Sequence, residues 1–320
     1  MPVEIATTPA AYVGNGHYCY ANVTAMLLAA AGEQIGPALV EPLTGLALGA
    51  AWIDEPELIF FNSSAPDEGV SRALRLLGFD VTERASDDDD PPPFDELRAA
   101  LQHGPAILGP VDMGMLVYQP GRGRPNGVDH FVLAYAMTDG EVFLHDPAGY
   151  PCVSLRLDDL AVAWKAERIG YRRGAYRWWT APRRAELLSE DALFERAMHE
   201  FDAIYRDAEV PRPRVTAIGS AAILRLAQMV RSGELTPMLA GHLRGFAFSV
   251  GARRALDFAA FFRGRRPELT TLKIEQAEMF GRAQSQLTRE SWEGTADALT
   301  ELARAENRIR DLIVGTSATS

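Results

Sequence analysis

The stretch Val128-Asp-His-Phe-Val-Leu-Ala-Tyr-Ala-Met-Thr-Asp-Gly-Glu-Val-Phe-Leu-His-Asp146 decides the fold of the first half of this 320-residue chain. Residues 128–137 are apolar and partly β-branched, Thr138-Asp-Gly140 forms a tight turn, and residues 141–145 form the return strand. A second turn at 146–149 leads to a third strand over 152–157. The pattern predicts a meander of antiparallel strands.

Shorter elements surround this meander. Residues 106–111 read as a buried strand, and Trp178-Trp179 is expected to pack on the sheet. Hydrophobic spacing predicts helices over 19–31, 69–77, 94–103 and from Asp158 to about 166. The first part of the chain is therefore predicted to be an α+β domain with an antiparallel sheet.

The pattern changes after Pro182. Segments with helical periodicity follow one another, separated by proline and glycine, and no strand signal of comparable strength is present; they cover 186–208, 215–232, 237–262, 268–290 and 291–313. We expect an α+β domain over 1–182, an all-helical domain over 183–314 and a flexible tail over 315–320.

Composition excludes several classes of protein. With a net charge of -11, the chain is a poor general binder of nucleic acid, which requires clustered basic residues. The chain contains no run of about 18 uncharged apolar residues, so no membrane helix is predicted. Residues 1–8 lack the basic start of a secretory signal, and two distant cysteines, Cys19 and Cys152, suit a reducing compartment. We expect a cytoplasmic location, whereas the oligomeric state stays open.

The segment Gly16-His-Tyr-Cys-Tyr-Ala-Asn22 places Cys19 where a loop gives way to a helix. Val23, Met26, Leu27 and Ala30 follow with helical spacing, so the helix should begin near residue 18 or 19. The positive end of the helix dipole favours thiolate over thiol, and the thiolate is the nucleophile. Cys19 is therefore a candidate catalytic residue.

A cysteine nucleophile needs a base, and the base needs a group that orients it. His130 opens the strongest strand and Asp146 ends the return strand, so the predicted hairpin brings both to the same end. Cys19 would complete a Cys-His-Asp triad whose order along the chain is that of papain-like folds. Each residue alone also has a purely structural explanation. Cys19 could be a small core residue, His130 a core or strand-edge histidine, and Asp146 a turn former. Cys152, in a predicted strand, reads as core.

Four motifs carry a resemblance to a known family. They are Gly16-His-Tyr-Cys19, Val111-Asp-Met-Gly-Met-Leu-Val-Tyr118, His130-Phe-Val-Leu133 and Val142-Phe-Leu-His-Asp-Pro147. The chain resembles the N-terminal domain of the butirosin-biosynthesis acyltransferase family, which is similar to the double-glycine leader peptidases and has a papain-like fold. A helical domain commonly follows in that family, and residues 183–314 look like it.

The resemblance implies acyl transfer in natural-product biosynthesis. The donor would be the phosphopantetheine thioester of an acyl carrier protein or of CoA, the acceptor a small amine, and no cofactor would be permanently bound. The family's nucleophile, base and acid correspond to Cys19, His130 and Asp146. The chain departs from the pattern at Ala134-Tyr-Ala-Met137, where a glycine often follows the family's histidine strand. It also has Asn15 where the peptidases have a glutamine as oxyanion donor.

Other residues near these motifs are weaker candidates. Asp112 could hold the amine of an acceptor, or bond loop amides. His17 and Tyr18 could line the cleft or serve the oxyanion. The Gly/Arg/Pro loop over 121–127 lacks the strand and helix context of a phosphate-binding loop.

Carrier proteins are usually acidic, which predicts a basic docking surface. Two basic stretches are candidates: Arg172, Arg173, Arg177, Arg183 and Arg184 in the first, and Arg253, Arg254, Arg263, Arg265 and Arg266 in the second. Ordinary solvated faces explain either stretch as well. Two other functions stay open from sequence: a cysteine peptidase, amidase or thioester hydrolase of the same fold, and a non-catalytic binding or cyclase scaffold.

Overall fold

Two compact units make up the structure, a computed structural model that describes residues 11–14, 16–210 and 212–315. The first unit contains the chain up to Val40 and the segment Ala65–Ser189. The second contains Glu41–Ser64 and the chain from Glu190 onward. The predicted division at 182/183 is therefore wrong in two respects, since the boundary follows Ser189 and an early segment belongs to the second unit.

The secondary structure is mixed. The strands are β1 (Ala51–Ile53), β2 (Leu58–Phe60), β3 (Phe79–Ser86), β4 (Ala106–Asp112), β5 (Asp129–Met137), β6 (Glu141–Asp146), β7 (Tyr150–Arg156), β8 (Ala175–Arg184) and β9 (Val215–Ile218). The helices are α1 (Cys19–Ala30), α2 (Pro37–Thr44), α3 (Pro66–Leu76), α4 (Phe94–Leu101), α5 (Leu157–Lys165), α6 (Glu190–Ala208), α7 (Gly219–Ser232), α8 (Pro237–His242), α9 (Phe248–Phe262), α10 (Pro267–Thr288) and α11 (Trp292–Val314).

The first unit is built on a six-stranded antiparallel sheet in the order β3-β8-β4-β5-β6-β7. The predicted meander is confirmed as β5-β6-β7, and its register pairs Leu133 with His145. Trp178 and Trp179 lie within β8, a central strand, and not merely against the sheet. The α+β class with antiparallel strands is thus confirmed for this unit.

Helix α1 packs against β4 and β5 of this sheet. Every residue from Cys19 to Leu28 is buried, so the helix is enclosed on all sides and not amphipathic. A helix that is apolar all round belongs in a protein core. No helix in the described part of the chain combines the length and apolarity needed to cross a membrane.

The second unit is helical but also contains a sheet. Strands β1, β2 and β9 form a three-stranded antiparallel sheet in the order β2-β1-β9, which corrects the all-helical prediction. Trp52, Ile59 and Phe61 pack into the same hydrophobic cluster as α7, α9, α10 and α11. The burial of these large apolar side chains explains why Glu41–Ser64 belongs to this unit.

A network of buried polar side chains lies among the helices of the second unit. Glu306 accepts hydrogen bonds from the Gly49 amide at 3.0 Å, the Tyr205 hydroxyl at 2.8 Å and Gln276 Nε2 at 3.1 Å. Lys273, fully buried, donates to Gln276 Oε1 at 2.8 Å and to the Ala47 carbonyl at 3.1 Å. The network ties α10 and α11 to α6 and to the segment before β1.

We expect Glu306→Ala to destabilise the helical unit by about 3–5 kcal/mol, because three buried donors lose their acceptor. The matched control is Glu301→Ala on the same helix, which breaks only an exposed ion pair with Arg282 and should cost under about 1 kcal/mol. Urea unfolding followed by circular dichroism measures both. Equal shifts for the two variants would contradict the role of the network.

Candidate active site

Cys19 is the first residue of α1 and is 8% exposed. The amide of Asn22 donates to the Tyr18 carbonyl at 2.8 Å and so makes the first helical hydrogen bond. The first backbone amides of a helix have no acceptor within it. The thiol therefore lies beside a cluster of backbone donors at the positive end of the helix dipole.

His130 is buried at the start of β5 and lies between Cys19 and Asp146. Its Nε2 atom is 2.6 Å from Asp146 Oδ1, and the ring is also hydrogen-bonded to Cys19. With Nε2 facing the carboxylate, Nδ1 is the ring nitrogen left for the sulfur. The three residues that the sequence predicted as a triad are thus brought together in the first unit.

The carboxylate of Asp146 is fully buried and accepts four hydrogen bonds. Oδ1 accepts from His130 and from the Ala148 amide at 2.7 Å, and Oδ2 accepts from the Tyr118 hydroxyl at 2.9 Å and from Gln119 Nε2 at 2.7 Å. A carboxylate held by four short hydrogen bonds cannot rotate freely. The imidazole of His130 is consequently oriented by a rigid acceptor.

The environment favours charge on both the base and the acid. Burial lowers the pKa of His130, but hydrogen bonds to Asp146 and Cys19 and the negative charges of both raise it to about 10. Burial likewise opposes ionisation of Asp146, but His130, the Ala148 amide and Tyr118 hold the pKa of its carboxyl below the usual value. At neutral pH the arrangement is an imidazolium held between a carboxylate and the cysteine sulfur.

The weaker candidate residues from the sequence differ in their exposure and hydrogen bonding. His17 is exposed and Tyr18 is completely buried. The Asp112 carboxylate accepts hydrogen bonds from the amides of Gly114, Asn126 and Gly127 at 2.9–3.1 Å, so it bonds loop amides. Asn15 lies outside the described residues.

Cys152 is exposed on β7, which corrects its expected place in the core. Its φ of 56° lies in the left-handed region, and its amide donates to His145 Nδ1 at 3.2 Å. The thiol is hydrogen-bonded to Tyr135, apart from the triad partners of Cys19. The two cysteines thus occupy different environments within one unit.

Three residues that support the triad were not predicted. Tyr118 and Gln119 hold the Asp146 carboxylate, and the Tyr12 hydroxyl donates to the Asp146 carbonyl at 2.9 Å. Burial raises the pKa of Tyr118 above its usual range, which keeps its hydroxyl protonated as a donor. Tyr118 is the last residue of the motif over 111–118, and Gln119 follows it. This position beside a motif is the sequence feature from which both residues could have been predicted. Nothing in the sequence pattern pointed to Tyr12.

The basic stretches predicted to dock a carrier protein are engaged in local ion pairs. The arginines with a carboxylate partner in their own unit are Arg172 (Asp88), Arg173 (Asp67 and Glu83), Arg177 (Glu83), Arg183 (Asp80), Arg184 (Glu33), Arg254 (Glu41) and Arg265 (Glu190 and Asp191). Arg266 donates to the Leu312 carbonyl at 3.0 Å. All five arginines of the first stretch, and Arg254 and Arg265 of the second, are thus paired with carboxylates.

Sequence comparison places the chain among known proteins. A family model described as the YobF C-terminal domain matches residues 213–314. Over 301 residues the chain is 41% identical to an uncharacterized protein, YobF, of Bacillus subtilis (strain 168), in a match that covers 93% of this chain and 96% of that protein. This chain belongs to the YobF family. The domain model covers part of the helical unit and contains none of the three residues Cys19, His130 and Asp146.

We expect His130 to stay protonated at neutral pH and to titrate near pH 10, whereas Asp146→Asn lowers the midpoint by about 1–3 units because the carboxylate charge is lost. Since folding raises the pKa of His130, its contribution to stability is complete below about pH 6.5 and is lost as the pH rises through about 10. NMR of histidine-labelled protein measures the titration, and His130→Gln identifies the resonance. A midpoint near 6.5 in the unsubstituted chain would contradict the ion pair.

Proposed function

We propose that the chain is a cysteine-dependent acyltransferase with a papain-like catalytic unit, in which Cys19 carries the acyl group from a thioester donor to an amine. The observation that carries the proposal is the position of His130, bonded to Cys19 on one side and to the buried Asp146 on the other. A nucleophile at a helix N-terminus followed by a base and an acid on an antiparallel sheet is the papain-like arrangement.

In the first half-reaction, the Cys19 sulfur attacks the carbonyl carbon of the thioester. A new C–S bond forms, the C–S bond of the donor breaks, and the proton of the His130 imidazolium passes to the departing thiolate. The acyl group is then held on Cys19 and His130 is neutral. One thioester replaces another, so this step is close to thermoneutral.

In the second half-reaction, the amine attacks the acyl carbon while His130 takes a proton from the nitrogen. The C–N bond forms and the bond to Cys19 breaks, which restores the thiolate beside an imidazolium. Asp146 keeps the ring oriented and stabilises its positive charge throughout, without taking the proton itself. The products are an amide and the unchanged ion pair.

The tetrahedral intermediates carry negative charge on the former carbonyl oxygen. The backbone amide of Cys19, at the start of α1, is the donor that would stabilise this charge. Gln119 is bonded to Asp146 and so does not serve as the side-chain donor of the oxyanion site.

Two features support transfer from a thioester. The resemblance motifs around Cys19, His130 and Asp146 are those of a family that acts on phosphopantetheine thioesters. A histidine that is already protonated is suited to meet a departing thiolate, since its proton is available without a further step. A thioester hydrolase or an amidase would use the same triad, and the choice of acceptor separates these activities.

Intact-mass measurement tests the proposal. After incubation with acyl-N-acetylcysteamine or acyl-CoA, we expect one acyl adduct on the unsubstituted chain and on Cys152→Ala, and none on Cys19→Ala. Cys152→Ala is the matched control, because Cys152 is the exposed thiol of the pair and lies apart from the triad partners. An adduct that persists in Cys19→Ala would contradict the assignment.

The fate of the adduct separates transfer from hydrolysis. Faster release on addition of primary amines, with formation of the matching amide, is the outcome expected of an acyltransferase. Release at the same rate with and without amines, giving only the free acid, would identify a hydrolase and overturn the proposal.

We expect Gln119→Ala to slow acylation of Cys19 by about 10–100-fold, because Asp146 loses one of its four donors and orients His130 less firmly. Gln102→Ala, at an exposed position after α4, is the control and should leave the rate unchanged. Single-turnover acylation measured by mass gives both rates. Equal rates would show that Gln119 does not position the acid.

A further inference from the structure

The loop from Gly121 to Asn126 borders an open cavity of about 480 Å³, which is also lined by Gly114. Gly121 and Gly123 have φ values of 75° and 133°, and a side chain at either position would meet nothing within 4 Å. The space over the loop is therefore empty and large enough for a small ligand group.

The loop is held in one conformation by its own backbone. The Gly114 carbonyl accepts from the amides of Gly123 at 2.7 Å and Arg124 at 3.1 Å, and Asp112 accepts from the amides of Asn126 and Gly127. A side chain on Gly114 would overlap the Arg124 carbonyl at 2.1 Å, so the close approach requires glycine. A preorganised loop loses little entropy when it binds a ligand.

Two arginines project from this fixed loop without acidic partners. Among the described residues, no carboxylate forms an ion pair with Arg122 or Arg124. By contrast, arginines such as Arg172, Arg177 and Arg184 of the same unit are all paired. The loop is thus a place where this strongly acidic chain presents unneutralised positive charge beside a cavity.

The loop is connected to the catalytic residues by hydrogen bonds. Arg122 Nε donates to Gln119 Oε1 at 3.3 Å, and Gln119 Nε2 donates to Asp146 Oδ2, which in turn faces His130 through Oδ1. Only three hydrogen bonds separate the Arg122 guanidinium from the His130 ring. The loop is therefore connected directly to the carboxylate that orients His130.

We propose that Arg122 and Arg124 bind a phosphate group of the acyl donor, which anchors the donor while its thioester reaches Cys19. This inference rests on the proposed function and names the residues that would hold the phosphate of its phosphopantetheine thioester. The guanidinium groups, each with paired donors, match the geometry of phosphate oxygens. The loop amides are already bonded internally, so recognition differs from that of a glycine-rich loop that uses backbone amides.

Equilibrium binding tests the site without requiring catalysis. Calorimetry on full-length Cys19→Ala compares pantetheine 4′-phosphate with pantetheine, which differ only in the phosphate. We expect the phosphorylated probe to bind at least about tenfold more tightly, with an affinity that falls as salt is added. Equal affinity for the two probes, or equal binding of succinate, would overturn the phosphate assignment.

Variants of the loop locate the binding. Arg124→Gln in the Cys19→Ala background should remove the advantage of the phosphorylated probe, and Arg124→Lys should restore part of it by returning the charge. Arg156→Gln is the matched control, because Arg156 is an exposed arginine of the same unit that pairs with Asp158. Circular dichroism checks that each variant is folded. An advantage that survives in both Arg122→Gln and Arg124→Gln would overturn the proposal.

The kinetic counterpart separates this inference from the proposed function. In the protein with Cys19 intact, Arg124→Gln should raise KM for acyl-phosphopantetheine about tenfold with little change in kcat, and should not alter KM for acyl-pantetheine. No acylation by either donor, combined with phosphate-dependent binding, would overturn the proposed reaction and leave the anion site standing. Acylation with the same KM for both donors would overturn the site alone.

Discussion

A buried carboxylate is the constraint on which the rest of the candidate site depends. Asp146 has no exposure to solvent, so its charge must be compensated by groups within the protein. His130 supplies a positive charge, and Tyr118, Gln119 and the Ala148 amide supply the remaining donors. These partners come from the β4–β5 connection, β5 and the β6–β7 turn, so one charge organises three parts of the chain.

The same constraint explains how His130 keeps its charge although it is buried. His130 is buried, which by itself would make the imidazole neutral, and the carboxylate and the sulfur reverse that preference. Helix α1 is enclosed from Cys19 to Leu28 and so holds the sulfur at a defined position beside the ring. The geometry is rigid where proton transfer requires it. The cavity beside Gly121–Asn126 lies at the far end of the same hydrogen-bond chain.

Sequence reasoning recovered those parts of the fold whose signal is local. The β5-β6 hairpin follows from alternating and β-branched residues on either side of Thr138-Asp-Gly140, and α10 and α11 follow from hydrophobic spacing. It failed where a short strand is stabilised by partners distant in sequence. Strands β1 and β9 are separated by more than a hundred residues, and neither has the length to give a pattern of its own.

The sequence by itself determined that Cys19 begins a helix and that His130 and Asp146 lie at the same end of a hairpin. Both could be predicted because a helix start and a hairpin are local features of the chain. Only the tertiary structure decided that Tyr12, Tyr118 and Gln119 support Asp146, and that Asp112 serves the loop backbone. It also decided which arginines are neutralised and which face a cavity. Hydrogen bonds and ion pairs of this kind join residues far apart in the chain, and no local pattern encodes which partners meet.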